Sequence, residues 1–303
     1  TFGDDPLTYS SSGFLWDRVL DAGLSFRNYG EFDYAEPVPR SATFLEIFRD
    51  WQRQTNRIAF SQQIGVERLR HYSCRDYPGW NMKIPDVLRA DRFLKELAEF
   101  ERNGRLPHLT LLYLPSDHTS GTTPGAPTPR AQMADNDLAL GRVVEALSRS
   151  RFWPRTVLFV IEDDPQNGFD HVDGHRSLCL VISPYSRRRG VVSSFYNQAG
   201  ILHTITRILG VPPLNQMDAL APTMEACFTA RPALDPYLCR PVTVPLDELN
   251  PPLAVLSGAA RHWALASLRE GFARVDEAEE DTLNRILWHT MKGMATPYPR
   301  PAH

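Results

Sequence analysis

Two short apolar runs decide the fold: HLTLLYL at residues 108–114 and TVLFVI at residues 156–161. Both are continuous and rich in leucine and β-branched residues, which is typical of strands buried on both faces. Between them, residues 131–149 place four apolar side chains at helical spacing, namely Leu140, Val143, Val144 and Leu147. The order strand, helix, strand predicts a parallel βαβ unit.

The segments around this unit extend the pattern. Pro115–Pro129 is rich in Gly, Pro, Ser and Thr and is predicted to be loop. A third apolar run, Ser177–Ser183, follows a 14-residue loop without helical pattern, which is too short for a parallel crossover. It is therefore predicted to run antiparallel to the strand before it. Asn197–Leu209 has one apolar face and is followed by Gly210, so a helix is expected there.

The remaining predicted elements are mostly helical. The amino-terminal part reads as a helix at Phe14–Ala22, a short strand at Leu24–Arg27 and a long loop over residues 30–80. Further helices are expected at Thr43–Gln54, from Pro85 to Gly104, at 256–273 and at 276–292.

Composition excludes several classes of protein. The 303 residues carry 33 Lys and Arg against 36 Asp and Glu, a net charge of −3 that gives no electrostatic case for a nucleic-acid partner. No apolar run approaches 18 residues, so no membrane span is predicted. Four cysteines without a CxxC motif indicate neither a disulfide scaffold nor a zinc ribbon. Whether Cys227 and Cys239 form a disulfide stays open at this point.

Acidic residues and histidines follow the two central strands. Asp117 and His118 come after the first strand, and Glu162, Asp163 and Asp164 come directly after the second. Ligands of open α/β sheets bind beyond the carboxyl ends of the strands, and parallel strands share that edge. The next loop, DHVDGH at residues 170–175, stays at this edge if the third strand is antiparallel, and it adds His171 and His175.

So many carboxylates would repel one another unless a cation lay among them. Mixed Asp and His ligands suit zinc, manganese or iron, and Arg176 is placed to contact a phosphate oxygen. For any one of these residues, the alternative is a turn-capping side chain that faces water. Glu162 equally reads as the last strand residue, pointing away from the site.

Other polar residues have simpler interpretations. Four hydroxyl residues lie beside Asp117 and offer a nucleophile, although local hydrogen bonding in the turn is the expected role: Thr119, Ser120, Thr122 and Thr123. His203 lies in the middle of its helix, off the apolar face, and is expected to face solvent or to pack. The run Arg187–Arg189 is interpreted as solvated charge, with an anionic substrate as the alternative.

At these residues the chain resembles a known family. LPSDHTSGTTPGAPTPRAQMADNDLALGRVVEALSRSRFW and VLFVIEDDPQNGFDHVDGHRSLCLVISPY are similar to the bacterial phosphoesterase family, which includes acid phosphatases and phospholipase-C-type enzymes of the alkaline phosphatase superfamily. The likeness runs from GFLWDRVLDAGLSFRNYGEF, starting at Gly13, to the terminal LNRILWHTMKG.

The resemblance implies a set of metal ligands. Asp163 and Asp164 match the family's acidic pair, Asp117 and His118 match its second pair, and two histidines, His171 and His175, match residues lining the same site. A divalent ion is expected, with zinc, manganese, iron or calcium as candidates. The implied substrate is a small phosphate ester or a phospholipid headgroup, attacked by a hydroxyl nucleophile.

The resemblance covers only the carboxyl-terminal part of such an enzyme. Family members carry upstream an acidic or Asn ligand and the Ser or Thr nucleophile, and nothing before Phe14 supplies either. The expectation is therefore an incomplete site that an upstream segment completes, and an apolar face or strand edge that this segment covers. The family also implies a periplasmic or secreted location.

The resulting fold prediction is a three-layer α/β/α sandwich with a mostly parallel sheet, alkaline-phosphatase-like and incomplete. Residues 1–240 are assigned to the phosphoesterase domain and residues 241–303 to a helical extension packed on it. The predicted function is metal-dependent hydrolysis of phosphoric esters. The alternatives are an inactive metal- or phosphate-binding remnant that partners a separately encoded half, and a related chemistry such as sulfate-ester cleavage or phosphomutase action.

Overall fold

A parallel pair of strands forms the centre of the molecule. The computed structural model describes residue 3 and residues 5–163, 176–269 and 279–299. The strands are β1 (Phe26–Tyr29), β2 (Asp33–Val38), β3 (Ala59–Ile64), β4 (Leu109–Leu112), β5 (Leu158–Ile161) and β6 (Cys179–Ile182). The helices are α1 (Leu15–Asp21), α2 (Phe44–Gln52), α3 (Glu67–Arg70), α4 (Asp86–Asn103), α5 (Pro129–Arg149), α6 (Gln198–Leu209), α7 (Gln216–Leu220), α8 (Gly258–Arg269) and α9 (Glu280–Lys292).

Helices cover both faces of the central pair, in which Phe26 pairs with Leu109 and Tyr29 with Leu112. Alternate residues of a strand point to opposite faces. Tyr29 therefore packs against α4 and α5, and Phe26 packs against α1 and α6. The layers are helix, sheet, helix, so the predicted α/β fold class is confirmed.

The pairing of the other strands differs in part from expectation. β5 and β6 are antiparallel, with Leu158 opposite Ile182, as the short intervening loop predicts. The direct parallel pairing expected between the two apolar runs is not made: among the described strands, β4 pairs with β1 and β5 with β6. The two runs still share one core, because Leu112 and Leu158 both pack against the side chains of α5.

An antiparallel hairpin was missed within residues 30–80. β2 and β3 pair from Asp33 opposite Ile64 to Val38 opposite Ala59. The sequence prediction of loop was wrong here because Pro37 interrupts DYAEPV and AFSQQI carries little apolar signal. The helix predicted beside it is confirmed as α2, which begins at a capping box formed by Thr43 and Glu46.

The carboxyl-terminal part crosses α5 before it becomes helical. The Tyr237 backbone N–H donates to the Ser148 hydroxyl over 2.9 Å, and the Cys239 N–H donates to Glu145 over 3.1 Å. α8 and α9 then contact each other, and α9 contacts α5. The boundary at residue 240 stays a prediction. All four cysteines are free thiols, so Cys227 and Cys239 are not joined.

One buried polar network ties the layers together. Arg89 on α4 is fully buried and donates to Asp86 over 2.9 Å. It also donates to four backbone carbonyls of the preceding loop, those of Pro78, Gly79, Asn81 and Ile84. Asp135 of α5 accepts the backbone N–H groups of Asp86 and Val87 over 2.6 and 3.0 Å. A side chain of one helix therefore caps the first turn of the other.

Replacing Arg89 should severely destabilise the fold. Arg89→Met leaves the Asp86 carboxylate and several carbonyls buried without partners, which we expect to cost about 3 to 5 kcal/mol. Urea unfolding followed by circular dichroism measures this loss. Arg102→Met on an exposed part of the same helix is the control and should change stability by less than about 0.5 kcal/mol. Equal losses in the two variants would contradict the role of the network.

Stability should depend on pH through Asp135. Burial and the neighbouring charge of Asp86 raise the pKa of Asp135 from 3.8 to about 7. The folded chain therefore binds this proton more tightly than the unfolded chain, and the free energy of unfolding falls as pH rises from about 4 to about 7. Asp135→Asn removes the titrating carboxyl. The urea midpoint of this variant should therefore fall less between pH 5 and pH 8 than the midpoint of the wild type does. The exposed control Asp137→Asn should keep the wild-type slope, and three parallel slopes would refute the assignment.

Candidate functional site

Carboxylates from three strand ends meet near one tyrosine. Tyr113 follows β4 directly, and its backbone N–H donates to the Tyr29 carbonyl over 3.0 Å. Burial raises the pKa of the Tyr113 hydroxyl, and the charges of Glu31, Asp163 and Asp117 raise it further, whereas Arg89 lowers it. Screening limits the reach of such charges to about 10 Å, so each of these three carboxylates lies in the neighbourhood of the Tyr113 hydroxyl.

The turn after β1 fixes the position of Glu31. The amide of Asn28, a fully buried side chain, accepts from the Glu31 N–H over 3.1 Å and donates to the Glu31 carbonyl over 3.0 Å. Burial raises the pKa of the Glu31 carboxyl, and the charge of Asp163 raises it further. The end of β1 therefore contributes a carboxylate beside the end of β5.

Gly30 allows this turn to pass close to the ring of Tyr77 and the Cβ of Tyr113. Its φ of +94° lies in the region that favours glycine, and a Cβ there would lie 3.0 Å from Tyr77 and 3.3 Å from Tyr113. The Tyr77 hydroxyl donates to the Tyr113 carbonyl over 2.5 Å. The two tyrosines and the turn thus form a closely packed floor beneath the carboxylates.

The short turn that carries Asp117 is held by both central helices. Pro115–His118 form one 3₁₀ turn at the end of β4. The Ser116 N–H donates to Asp86 over 2.9 Å, and the Ser116 hydroxyl donates to Asp135 over 2.9 Å. The buried network of α4 and α5 therefore fixes the backbone that places Asp117 and His118.

The electrostatic surroundings of Asp117 disfavour its charged form. Burial raises the pKa of Asp117 to about 6, and the charges of Asp86 and Glu162 raise it further, against the lowering effect of the His118 backbone N–H. The charge of Glu162 therefore acts on Asp117, while the direction of its side chain stays a prediction. A cation placed among these groups would stabilise their charged forms.

His118 is exposed and has one ring nitrogen engaged. Nδ1 lies 3.3 Å from the carbonyl oxygen of Thr119, and the ring meets Trp80 edge to face with centroids 4.9 Å apart. This contact with the carbonyl favours a proton on Nδ1 and leaves the lone pair of Nε2 for a ligand. Thr119 itself has a φ of +59°, a strained conformation for a non-glycine residue at the edge of the site.

The end of β5 is fixed by contacts to two neighbouring segments. The Glu162 N–H donates to the Leu178 carbonyl over 3.3 Å, and the Ser177 hydroxyl donates to the Glu162 carbonyl over 3.1 Å. The side-chain amide of Gln198, at the start of α6, donates to the Asp163 carbonyl over 2.7 Å. Asp163 is exposed at this position.

Three of the predicted ligands, Asp164, His171 and His175, lie outside the described residues. Arg176 is described and exposed, directly after that interval. Within the described ranges, no group of three or more His, Cys, Asp or Glu side chains has a geometry that would hold a metal ion. The role of the six predicted ligands therefore remains a prediction.

The hydroxyls beside Asp117 take part in local contacts. Thr119 accepts the Gly121 N–H over 3.3 Å, and Ser120 contacts Gln132 through both its backbone N–H and its hydroxyl. The hydroxyl oxygen of Thr122 is buried and, in the described part of the chain, has no hydrogen-bond partner.

Two other candidates outside the site have structural contacts. Nδ1 of His203 lies 2.7 Å from the Ala221 carbonyl. Arg188 donates to the carbonyls of Ala233 and Asp235 and stacks over Tyr237, so it holds the carboxyl-terminal segment instead of being solvated.

Sequence reasoning missed Glu31, Tyr113 and the pair of buried acids beneath Asp117. The signal for Glu31 was present: it follows a predicted strand, as Asp117 and Glu162 do. Asp86 and Asp135 gave no such signal, because acids at a helix start or within the polar triplet DND of a helix normally face water. Their burial arises from the packing of α4 on α5.

The chain was compared with known proteins. A search of the curated proteins found no match. In the described residues, none of the helices combines the length and apolar character that crossing a membrane requires. The model of the phosphoesterase family matches residues 6–212, about two thirds of the chain, and includes every residue of the candidate site. The chain belongs to the phosphoesterase family.

Proposed function

We propose that this chain hydrolyses phosphoric esters with a divalent metal ion bound at the carboxyl-end edge of its strands. The supporting observation is the convergence of Glu31, Asp117 and Asp163 around Tyr113, since three strand ends bring their charges together there. Membership of the phosphoesterase family supports hydrolysis of phosphoric esters as the reaction class.

The donors that the site offers fit such an ion. Asp117 and Asp163 provide carboxylates, and His118 provides Nε2 while its other ring nitrogen contacts a carbonyl. Mixed carboxylate and imidazole donors suit zinc, manganese and iron, whereas calcium favours oxygen donors alone. Asp164, His171 and His175 are the further ligands of the proposal.

The residues of this chain would then have distinct roles. A bound divalent ion stabilises negative charge that develops on a phosphoryl oxygen. Asp117, His118 and Asp163 bind the ion, and Glu31 adds a carboxylate that increases its affinity. The guanidinium of Arg176 pairs with a second phosphate oxygen. Asp86 and Asp135 act through Ser116 and are positioning residues.

The nucleophile is proposed to come from an upstream segment that completes the site. Among the described hydroxyls of the turn that follows Asp117, those of Thr119 and Ser120 contact Gly121 and Gln132, and that of Thr122 is buried. The substrate is a small phosphate ester or a phospholipid headgroup, and the location is periplasmic or secreted.

A second function is favoured by one observation. The described residues contain no set of three donors arranged for a metal ion, which fits a chain that binds phosphate or metal weakly and partners another half. In that case the chain remains folded and binds a ligand, but hydrolysis requires the partner or is absent.

Metal binding is measured first, and hydrolysis, measured next, separates the two functions. Manganese or zinc added to the chelator-treated chain should bind with measurable heat, and Asp163→Ala should weaken binding at least tenfold because a charged ligand is lost. Glu31→Gln should weaken it less. Asp247→Ala, an exposed acid far along the chain, is the matched control and should bind as the wild type does.

Activity is measured with p-nitrophenyl phosphate and its diester, with and without the natural upstream segment. The proposal expects chelator-sensitive hydrolysis that Asp163→Ala abolishes. Metal binding without hydrolysis in either form would support the partner function instead. Hydrolysis that neither chelator nor Asp163→Ala reduces would rule out the metal-dependent site.

A further inference from the structure

An apolar cavity lies at the opposite end of β5 from the candidate site. Its volume is about 440 Å³, within the usual range for pockets that hold small molecules. Arg155, Thr156 and Val157 line it immediately before β5 begins, whereas Glu162 and Asp163 follow the end of that strand. The cavity is therefore separate from the metal-binding edge.

Helix α6 shows the same separation. Gln198, its first residue, contacts Asp163 at the candidate site, and Arg207 and Ile208 in its last turn line the cavity. At 1.5 Å per residue, the ten residues between the two ends span roughly 15 Å. A molecule in the cavity would lie about three helical turns from the proposed metal.

The wall of the cavity is mainly apolar. Val157, Ile208 and Phe228 contribute side chains from β5's amino end, from α6 and from the turn after Cys227. Ile208 is 52% exposed and also lines the cavity, so part of its aliphatic surface faces both the cavity and solvent. An alkyl chain is the group that such a wall would remove from water.

Two arginines give the cavity a charge preference. Arg155 and Arg207 both line it, and both are exposed. Within the described part of the chain, neither guanidinium is paired with a carboxylate. Glu225, the one acidic side chain of the lining, accepts a hydrogen bond from Thr223 over 3.2 Å. Two positive charges against one negative charge favour an anionic group at the mouth.

We propose that this cavity binds a single-chain anionic amphiphile, with its alkyl chain against Val157, Ile208 and Phe228 and its carboxylate or phosphate headgroup between Arg155 and Arg207. The dipole of α6 accounts for a basic residue in its last turn, but not for Arg155, which comes from a different segment. The apolar wall and the paired arginines together select this ligand class over a free inorganic anion or a neutral oil.

Titration calorimetry on the full chain tests the proposal. Three ligands are compared, each below its micellar concentration: decanoate, decanol and decylammonium. Decanoate should bind with one molecule per chain and at least fivefold more tightly than decanol, and decylammonium should bind more weakly than decanol. Octanoate should bind roughly fifteenfold more weakly than decanoate, because each of its two missing methylenes contributes about a factor of four in affinity.

Variants distinguish headgroup recognition from adsorption. The double variant Arg155→Gln, Arg207→Gln should bind decanol as the wild type does but should lose its preference for decanoate, so that the affinity ratio falls to about one. Arg53→Gln, an exposed arginine elsewhere, should leave that ratio unchanged. Ile208→Trp fills the mouth at an exposed position and should abolish binding of both ligands while the thermal midpoint without ligand is retained.

Several outcomes would overturn the proposal. Equal affinity for the three headgroups indicates non-specific hydrophobic adsorption, and an unchanged ratio in the double arginine variant indicates binding elsewhere. Binding of inorganic phosphate alone with the same affinity as decanoate removes the role of the alkyl chain. Association only with phosphatidylglycerol vesicles, and not with monomeric decanoate, indicates a membrane surface as the partner. None of these results depends on the proposed metal chemistry.

Discussion

The buried network of Asp86, Arg89 and Asp135 is the constraint on which the rest of the structure depends. A fully buried guanidinium must have all its donors satisfied, and here one carboxylate and four carbonyls of the preceding loop satisfy them. The same acids bind the turn at Ser116. Strand end, loop and two helices are thus located by one set of hydrogen bonds whose members cannot be exchanged singly without leaving a buried charge.

This arrangement concentrates negative charge at the edge above it. Asp86 lies beneath the turn that carries Asp117, and its charge adds to burial and to the charge of Glu162 in raising the pKa of Asp117. The charge of Asp86 also raises the pKa of Asp135, whose carboxylate accepts the Ser116 hydroxyl. Arg89 supplies positive charge to Asp86 from within the network.

The regular spacing of apolar residues made most helices predictable. The pairing of the strands and the burial of polar groups could not be predicted in this way. α5 and α6 follow from repeated apolar positions, and β4 follows from an uninterrupted apolar run. The β2–β3 hairpin lacked that signal, since Pro37 interrupts it and β3 is half polar. The partner of β4 was predicted from chain order, but β1 occupies that position and β5 pairs with β6, to which a short loop connects it.

The residues of the candidate site likewise fall into those that the sequence predicts and those that it does not. Acids that follow apolar strands could be found from the sequence, as Asp117 and Asp163 were, and Glu31 needed only the same rule applied to a weaker strand. Residues that support the site from below could not be found, because Asp135 has the same local context as an exposed helix acid. Its role becomes visible only when α4 lies against it.

The crowding around Gly30 has a consequence for recognising related genes. A side chain at this position would meet the ring of Tyr77 and the Cβ of Tyr113, and the Tyr77 ring is itself held by the bond of its hydroxyl to the Tyr113 carbonyl. A larger residue at position 30 therefore requires a smaller side chain or a shift at position 77. A glycine that co-varies with a tyrosine 47 residues further on is a compact genomic signature for chains that keep this floor, whatever ions or esters they have come to handle.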